Sequence, residues 1–272
     1  MPSAPPTPRT FADLFAERRA QARLALLPWV MAGQRDDTGT VDLLAAMVDA
    51  GADGFEISIP FSDPMADGPT VQRANQRALE NGMTVVGALD LLRKVRERVN
   101  VPIALMGYVN PFLRYGFERF CADASAAGAQ ALIVPDLPLE ESRDQAAAAA
   151  RHGLDLIQFV APTTTGERVR QIAKAARGFI YCVSLTGVTG ARADLASGLD
   201  DLLARTKAAT DTPVVVGFGI SRPEHLARLR GKADGAIVAS ALLDTMERAG
   251  DRAVEAAAAF VRELRRGADG DA

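Results

Sequence analysis

Eight short apolar runs, at residues 24–31, 54–59, 102–106, 131–134, 154–160, 179–183, 213–216 and 236–238, are each bounded by glycine, proline or polar residues. Segments whose apolar residues recur with a 3.6-residue period separate them, among them 41–50, 85–99, 117–127, 140–151, 167–176, 199–209 and 223–229. The short runs predict strands and the periodic segments predict helices. Strands apolar on both faces belong in a parallel sheet covered by helices. Eight strand–helix units in series therefore predict an α/β protein with a single (β/α)8 TIM barrel. A doubly wound open sheet would show the same alternation. Two features disfavour it: no Gly-x-Gly-x-x-Gly follows the first run, and the units stay near 25 residues with no break between halves.

The regular spacing has one exception. The second unit is about twice as long as the others and carries an extra helical stretch at 70–81. In a barrel an enlarged strand-to-helix loop lies on the C-terminal face, where barrel enzymes keep their chemistry. A further helical segment at 11–23, with apolar Phe11, Leu14 and Phe15, is expected to cap one end of the domain. The expected organisation is a disordered Pro-rich tail at 1–9, a catalytic barrel at 10–267 and a fraying tail at 268–272.

Composition narrows the partners. A formal charge of -3, with both signs mixed along the helical stretches, offers no basic field for nucleic acid. No apolar run approaches the roughly 18 residues of a membrane span, and residues 1–10 have no signal-like apolar core. Cys121 and Cys182 are too few for a disulfide framework and lack metal-ligand spacing. The expectation is a soluble protein of the reducing cytoplasm, without nucleic acid or membrane as partner.

The extended second loop carries the most specific chemistry. Around the strand at 54–59, Phe55, Ile57 and Ile59 alternate with Glu56 and Ser58, so a carboxylate is aimed off the apolar face. Pro60, Pro64 and Pro69 then stiffen a loop holding Asp63 and Asp67. A desolvated acid beside a second, ionised acid is an arrangement for proton transfer. Glu56 would equally pair with an arginine inside the barrel, with Asp63 or Asp67 capping a turn.

Glycine-rich segments follow three late strands. They are 184–190 after the sixth, 217–221 after the seventh, and Ala239-Ser240-Ala241 opening a helix after the eighth. Free backbone N–H groups and a helix N-terminus at these places suit a phosphate, although each glycine would also serve a tight turn. None of the four lysines, Lys94, Lys174, Lys207 and Lys232, ends a predicted strand, which leaves Schiff-base chemistry without its nucleophile. His152 and His225 lie apart in the pattern and read as surface or capping residues, so no metal site is expected. The chemistry that remains is acid–base.

The run from Glu56 to Pro69, Glu-Ile-Ser-Ile-Pro-Phe-Ser-Asp-Pro-Met-Ala-Asp-Gly-Pro, resembles the signature of the tryptophan synthase alpha subunit family. So do Tyr-Cys-Val-Ser-Leu-Thr-Gly-Val-Thr-Gly from Tyr181 to Gly190 and Gly-Phe-Gly-Ile-Ser from Gly217 to Ser221, and the likeness covers about 11–264. It implies a lyase that splits indole-3-glycerol phosphate into indole and glyceraldehyde 3-phosphate by retro-aldol cleavage, with no cofactor in this chain. By resemblance Glu56 moves protons, Asp67 accepts from the indole N–H, and Tyr181 lies near the catalytic Glu. Trp29, Tyr108 and Phe218 would shape the indole pocket, and Thr189, Gly190, Gly219, Ala239 and Ser240 would receive the phosphate side of the substrate.

The resemblance further implies a beta subunit that carries pyridoxal phosphate, in an α2β2 complex. Asp63, Pro64, Asn110, Pro111 and Pro138 would meet that partner, and the 184–192 loop would close as a lid. Three positions depart from the family's pattern: Ala239 where glycine is frequent, Ser58 likewise, and Gly33-Gln34-Arg35-Asp36 for Gly-Asp-Pro. Another phosphosugar barrel, or a silent barrel that only regulates a partner, would share the fold. Indole-3-glycerol phosphate synthase would need a strand-end lysine, and Glu56 with Asp67 argues against silence.

Overall fold

The computed structural model describes residues 9–183, 198–217 and 219–270. Its strands are β1 (Ala25–Met31), β2 (Phe55–Ser58), β3 (Ile103–Met106), β4 (Ala131–Ile133), β5 (Asp155–Leu156), β6 (Gln158–Val160), β7 (Ile180–Val183), β8 (Val214–Gly217) and β9 (Gly235–Val238). The helices are α1 (Phe11–Ala20), α2 (Asp37–Asp49), α3 (Pro69–Glu80), α4 (Val85–Arg96), α5 (Val109–Tyr115), α6 (Phe117–Ala127), α7 (Arg143–Arg151), α8 (Gly166–Ala175), α9 (Leu199–Ala209), α10 (Pro223–Leu229), α11 (Ser240–Ala249) and α12 (Ala253–Asp269).

All strand pairs are parallel, in the order β5-β4-β3-β2-β1-β9-β8-β7-β6. The two ends of that order, β5 and β6, are separated in the chain by Ile157 alone. The expected fifth strand at 154–160 is therefore split: its first part pairs with β4 and its second with β7, while the Ile157 N–H still reaches the Leu132 carbonyl at 2.9 Å. The result is the expected α/β barrel, nearly closed, with its one break where the ladder changes sides.

Register decides what faces inward. Parallel partners share a face of the sheet, so Trp29, Glu56 and Ala104 point the same way, as do Phe159, Tyr181 and Val215. Tyr181 senses the charge of Glu56 while both are buried, so these faces meet inside the barrel.

The end of the barrel away from the site is closed by α1. Thr10 and Asp13 form a capping box that starts this helix. Phe11 and Phe15 then pack against Phe179, with ring centroids 5.3 and 5.9 Å away, and each buried ring contributes on the order of 2 kcal/mol. Asp53, three residues before the Glu56 that opens the signature, belongs to this end. Its carboxylate accepts from the Leu26 N–H at 2.8 Å and pairs with Arg18 and Arg265, each at 2.6 Å.

Arg265 also donates to the Leu24 carbonyl, so it fastens α12 to β1. The fraying tail expected from 268 is corrected at its start: α12 runs to Asp269 and Ala268 is buried. Helix α5 was likewise not legible in the sequence. Its Pro111 looks like a loop residue, yet it sits in the first turn, where its missing N–H has no helical partner to lose. No helix among the described residues is long and apolar enough to cross a membrane.

Candidate active site

Glu56 stands on β2 and Asp67 lies at the end of the loop that follows it. Glu56 is 3% exposed, and its Oε2 has no hydrogen-bond partner among the described residues. Burial pushes its pKa up to about 8, and the negative charge of Asp67 adds to the rise. Asp67 is 6% exposed. Burial raises its pKa as well, to about 6, opposed by hydrogen bonds from Tyr108 and Asn75 that favour the ionised form. Near neutral pH the pair is thus one neutral acid beside one carboxylate, the division of labour that acid–base catalysis needs.

The loop between them is tied down at several points. The Tyr108 hydroxyl accepts from the Ala66 N–H at 3.0 Å and also bonds the Asp67 carboxylate, while its ring leans on Phe61 with centroids 5.3 Å apart. Gln72 donates to the Asp67 carbonyl at 2.9 Å, and the Asp67 N–H donates to the Pro64 carbonyl at 3.0 Å. Asn75 donates to Asp67 Oδ2 at 3.2 Å. The prolines limit the loop's conformations, but side-chain hydrogen bonds set where Asp67 sits.

Tyr181 faces Glu56 from across the barrel. Burial, with Glu56 and Asp67 nearby, holds its phenol well above the ordinary tyrosine value, so it stays neutral. Its ring packs on Phe159 at 5.1 Å. Gly217 makes room for it: a β-carbon there would lie 2.2 Å from the Tyr181 hydroxyl oxygen. Gly217→Ala is expected to displace Tyr181, lower indole-releasing kcat/KM about tenfold or more, and cost about 1–3 kcal/mol of stability through overpacking. Steady-state kinetics with a thermal melt check both effects.

The second half of the site is a helix terminus. Helix α11 begins beside the end of β9 with no side-chain cap and no acidic residue in its first turn. Its free N–H groups and positive dipole end are open to an anion. Ala239 adopts φ -116°, outside the positive-φ region that favours glycine. Gly219, at the end of the adjacent β8, has φ +77°, a conformation that suits glycine. Among the described residues no group of three or more His, Cys, Asp or Glu could hold a metal ion.

A family model for the tryptophan synthase alpha chain matches residues 15–269. The chain belongs to the tryptophan synthase alpha chain family. It is 54% identical over 256 residues to the tryptophan synthase alpha chain of Chloroflexus aurantiacus, a match spanning 93% of this chain and 96% of that one. The alpha chain of Geobacter sulfurreducens is 48% identical over 237 residues, 87% of this chain and 90% of its own. Among solved structures, the alpha subunit from Legionella pneumophila superposes with a TM-score of 0.87 at 34% identity, covering 96% and 98% of the two chains. Tryptophan synthase from M. tuberculosis, in its aminoacrylate-bound form, superposes at 0.85 and 34% identity over 95% and 98%. As an alpha chain of this family the protein is a lyase acting on indole-3-glycerol phosphate, and a beta partner is implied.

Of the residues expected in the alpha-chain site, Glu56, Asp67, Tyr181, Trp29 and Tyr108 come together in the barrel and its mouth. Gly219, Ala239 and Ser240 lie at the ends of the neighbouring β8 and β9. Thr189, Gly190, Phe218 and the 184–192 loop lie outside the described residues. Ser58 replaces glycine without strain and donates to Met106 Sδ at 3.0 Å.

His225 is buried, and its Nδ1 accepts from the Ser221 N–H at 3.3 Å, a capping role. Sequence reading missed Asn75, Phe61 and Phe159. The available signal for Asn75 was a polar residue on the apolar face of α3, among Val71, Ala74 and Ala78. For Phe159 it was the parity it shares with Tyr181 across the ladder.

Proposed function

We propose that Glu56 and Asp67 carry the cleavage of indole-3-glycerol phosphate, and that the observation supporting this is the split ionisation of two buried carboxyls at one barrel mouth. Cleaving the bond between indole C3 and the glycerol chain requires a proton on C3 and loss of a proton from the adjacent hydroxyl. Neutral Glu56 gives its proton to C3, forming an indolenine-like cation. The resulting carboxylate takes the hydroxyl proton as the C3–C bond breaks and its electrons return to the ring. Indole and glyceraldehyde 3-phosphate leave, and Glu56 is again protonated.

Asp67, kept ionised, accepts from the indole N–H and stabilises the positive charge that develops on the ring. Trp29, Tyr108 and Tyr181 supply apolar and aromatic walls for the bicycle. Tyr181, buried across the barrel from Glu56, helps to keep the interior dry. The phosphate dianion meets the uncapped start of α11 at Ala239 and Ser240, with Gly219 alongside and Thr189 and Gly190 assigned by family resemblance, which also gives Phe218 to the indole pocket. This chain needs no cofactor, and pyridoxal phosphate belongs to the beta subunit.

The partner reading is an α2β2 complex in which indole passes to that beta subunit. Asp63, Asn110 and Pro138 are exposed, and Pro64 and Pro111 are half-buried, all in loops or helix starts after β2, β3 and β4. Met65 is 78% exposed in the same loop as Asp63. Asn110 and Pro111 also line a groove of about 540 Å³ with Phe61, Val85, Val86 and Tyr115. An apolar surface of this kind at the barrel mouth suits a protein partner.

The test is incubation of the purified chain with indole-3-glycerol phosphate across pH, with and without a beta subunit. Indole release that rises with the partner is expected. The pH profile of kcat/KM should be bell-shaped. It rises through about 6 as Asp67 ionises and falls through about 8 as Glu56 loses its proton. Absence of indole under all conditions overturns the activity, and a profile flat between pH 5 and 9 overturns the acid pair.

A further inference from the structure

Asn75 is a polar side chain on the apolar face of α3, 2% exposed, and the mechanism above gives it no chemistry. Its amide is nonetheless fully engaged. Oδ1 accepts from the Phe61 N–H at 2.9 Å, and Nδ2 donates to Asp67 Oδ2 at 3.2 Å and to the Val71 carbonyl at 3.3 Å. Phe61 and Asp67 are the two ends of the acidic loop, so one buried amide holds both.

The contacts close a circuit. Asn75 holds Asp67, Asp67 bonds Tyr108, the Tyr108 ring rests on Phe61, and the Phe61 N–H returns to Asn75. A buried amide pays a desolvation cost that a leucine at this position would avoid, and the specific contact it makes in return is with the Asp67 carboxylate.

We propose that Asn75 is a positioning residue for the cleavage reaction, fixing the Asp67 carboxylate toward the indole nitrogen and locking the acidic loop to α3. The inference rests on the role given to Asp67 above. It assigns orientation and ionisation of that carboxylate to Asn75, whereas Asp67 itself touches the substrate. The titratable groups facing Asp67 are Glu56 from β2, Tyr108 from the start of α5 and Tyr181 from β7, with Asp136 acting on Tyr108 from the loop after β4. Both Asn75 and Tyr108 favour the ionised form of Asp67. Removing the Asn75 donor moves the balance toward the neutral acid.

The experiment measures the pH profile of kcat, KM and the thermal midpoint for Asn75→Ala and Asn75→Asp in the complex with a beta subunit. Asn75→Asp keeps an acceptor for the Phe61 N–H and removes the Nδ2 donor, and with it the bonds to Asp67 Oδ2 and to the Val71 carbonyl. Both variants are expected to lower kcat about tenfold or more with KM within about threefold, and to move the acid limb upward by about one pH unit. Asn75→Asp should move it further, because a second carboxyl now faces Asp67. In an Asp67→Asn background, Asn75→Ala should change kcat less than about twofold, since the group it positions is already gone.

Folded variants whose acid limb overlays the parent, or an equal loss in the Asp67→Asn background, overturn the inference. The unmodified protein gives an independent reading should the variants not fold. The Asn75 side-chain amide signal, followed by 15N NMR, should titrate with the acid limb, and a signal unchanged across that limb overturns the inference too. An Asp67→Asn variant with normal turnover overturns the role of Asp67 itself, whereas a slow Asp67→Asn beside a normal Asn75→Ala removes only Asn75.

Discussion

Glu56→Gln is expected to reduce indole release from indole-3-glycerol phosphate by about 10³-fold or more, at the upper part of the range for a single general acid–base group. Glutamine keeps the shape of the side chain and the space around it, so the substrate still binds. It cannot give a proton to C3 or take one from the hydroxyl, so both halves of the proton cycle stop. The measurement is kcat under saturation together with a dissociation constant from calorimetry. A fall in kcat with binding kept within about threefold is the expected pattern. Turnover near that of the parent removes Glu56 from the mechanism.

The same variant carries a stability signature. The folded-state pKa of Glu56 is raised from 4.5 to about 8. The folded protein therefore holds this proton more tightly than the unfolded chain does between those values. The resulting stabilisation is fully present below about 4.5 and is lost as pH rises through about 8. Glutamine does not titrate, so the thermal midpoint of Glu56→Gln should gain on the parent as pH goes from 5 to 9. Parallel curves would show that Glu56 is not buried as a neutral acid.

Asp67→Asn is expected to lower turnover by about 10²–10³-fold, the cost of losing one preorganised electrostatic contact to the transition state. Phosphate binding should change far less, because the start of α11 follows β9, two strands from β2 in the sheet, and makes no hydrogen bond with the Asp67 carboxylate among the described residues. There is a second consequence. The Asp67 charge contributes to the high pKa of Glu56, so removing it should move the basic limb of the residual activity to lower pH. The variant separates two roles that a loss of rate alone would merge. An unaltered rate excludes Asp67, and a slow enzyme with an unmoved basic limb excludes its electrostatic contact with Glu56.

Much of this protein was legible along the chain because parallel barrels repeat. Each strand is buried on both faces and each helix on one, so runs such as Ala25–Met31 and Phe117–Ala127 carry their period openly. Glu56 was legible for the same reason, as a carboxylate in an apolar strand. Helix α5 was not, because its seven residues are too few to show a period and Pro111 reads as a breaker. The end of the chain was not legible either. The polar look of Arg265 and Asp269 conceals a partner, Asp53 for the first and Arg265 and Arg23 for the second. The split at Ile157 depends on which neighbours lie on each side, and a single strand cannot announce that.

By itself the sequence determined the eight-unit α/β architecture, the enlarged second loop with Glu56 and Asp67, and the glycine-rich segments after the late strands. These are local properties: side-chain type, period and turn chemistry act within a few residues. Only the tertiary structure decided that Glu56 is neutral while Asp67 is ionised, because burial and the hydrogen bonds from Tyr108 and Asn75 are built by residues from separate elements. It also decided that Asp53, at the head of the same stretch, serves the opposite end of the barrel. A strand has two ends as well as two faces, and folding sends three residues' worth of chain, from Asp53 to Glu56, from a structural ion pair into the catalytic mouth.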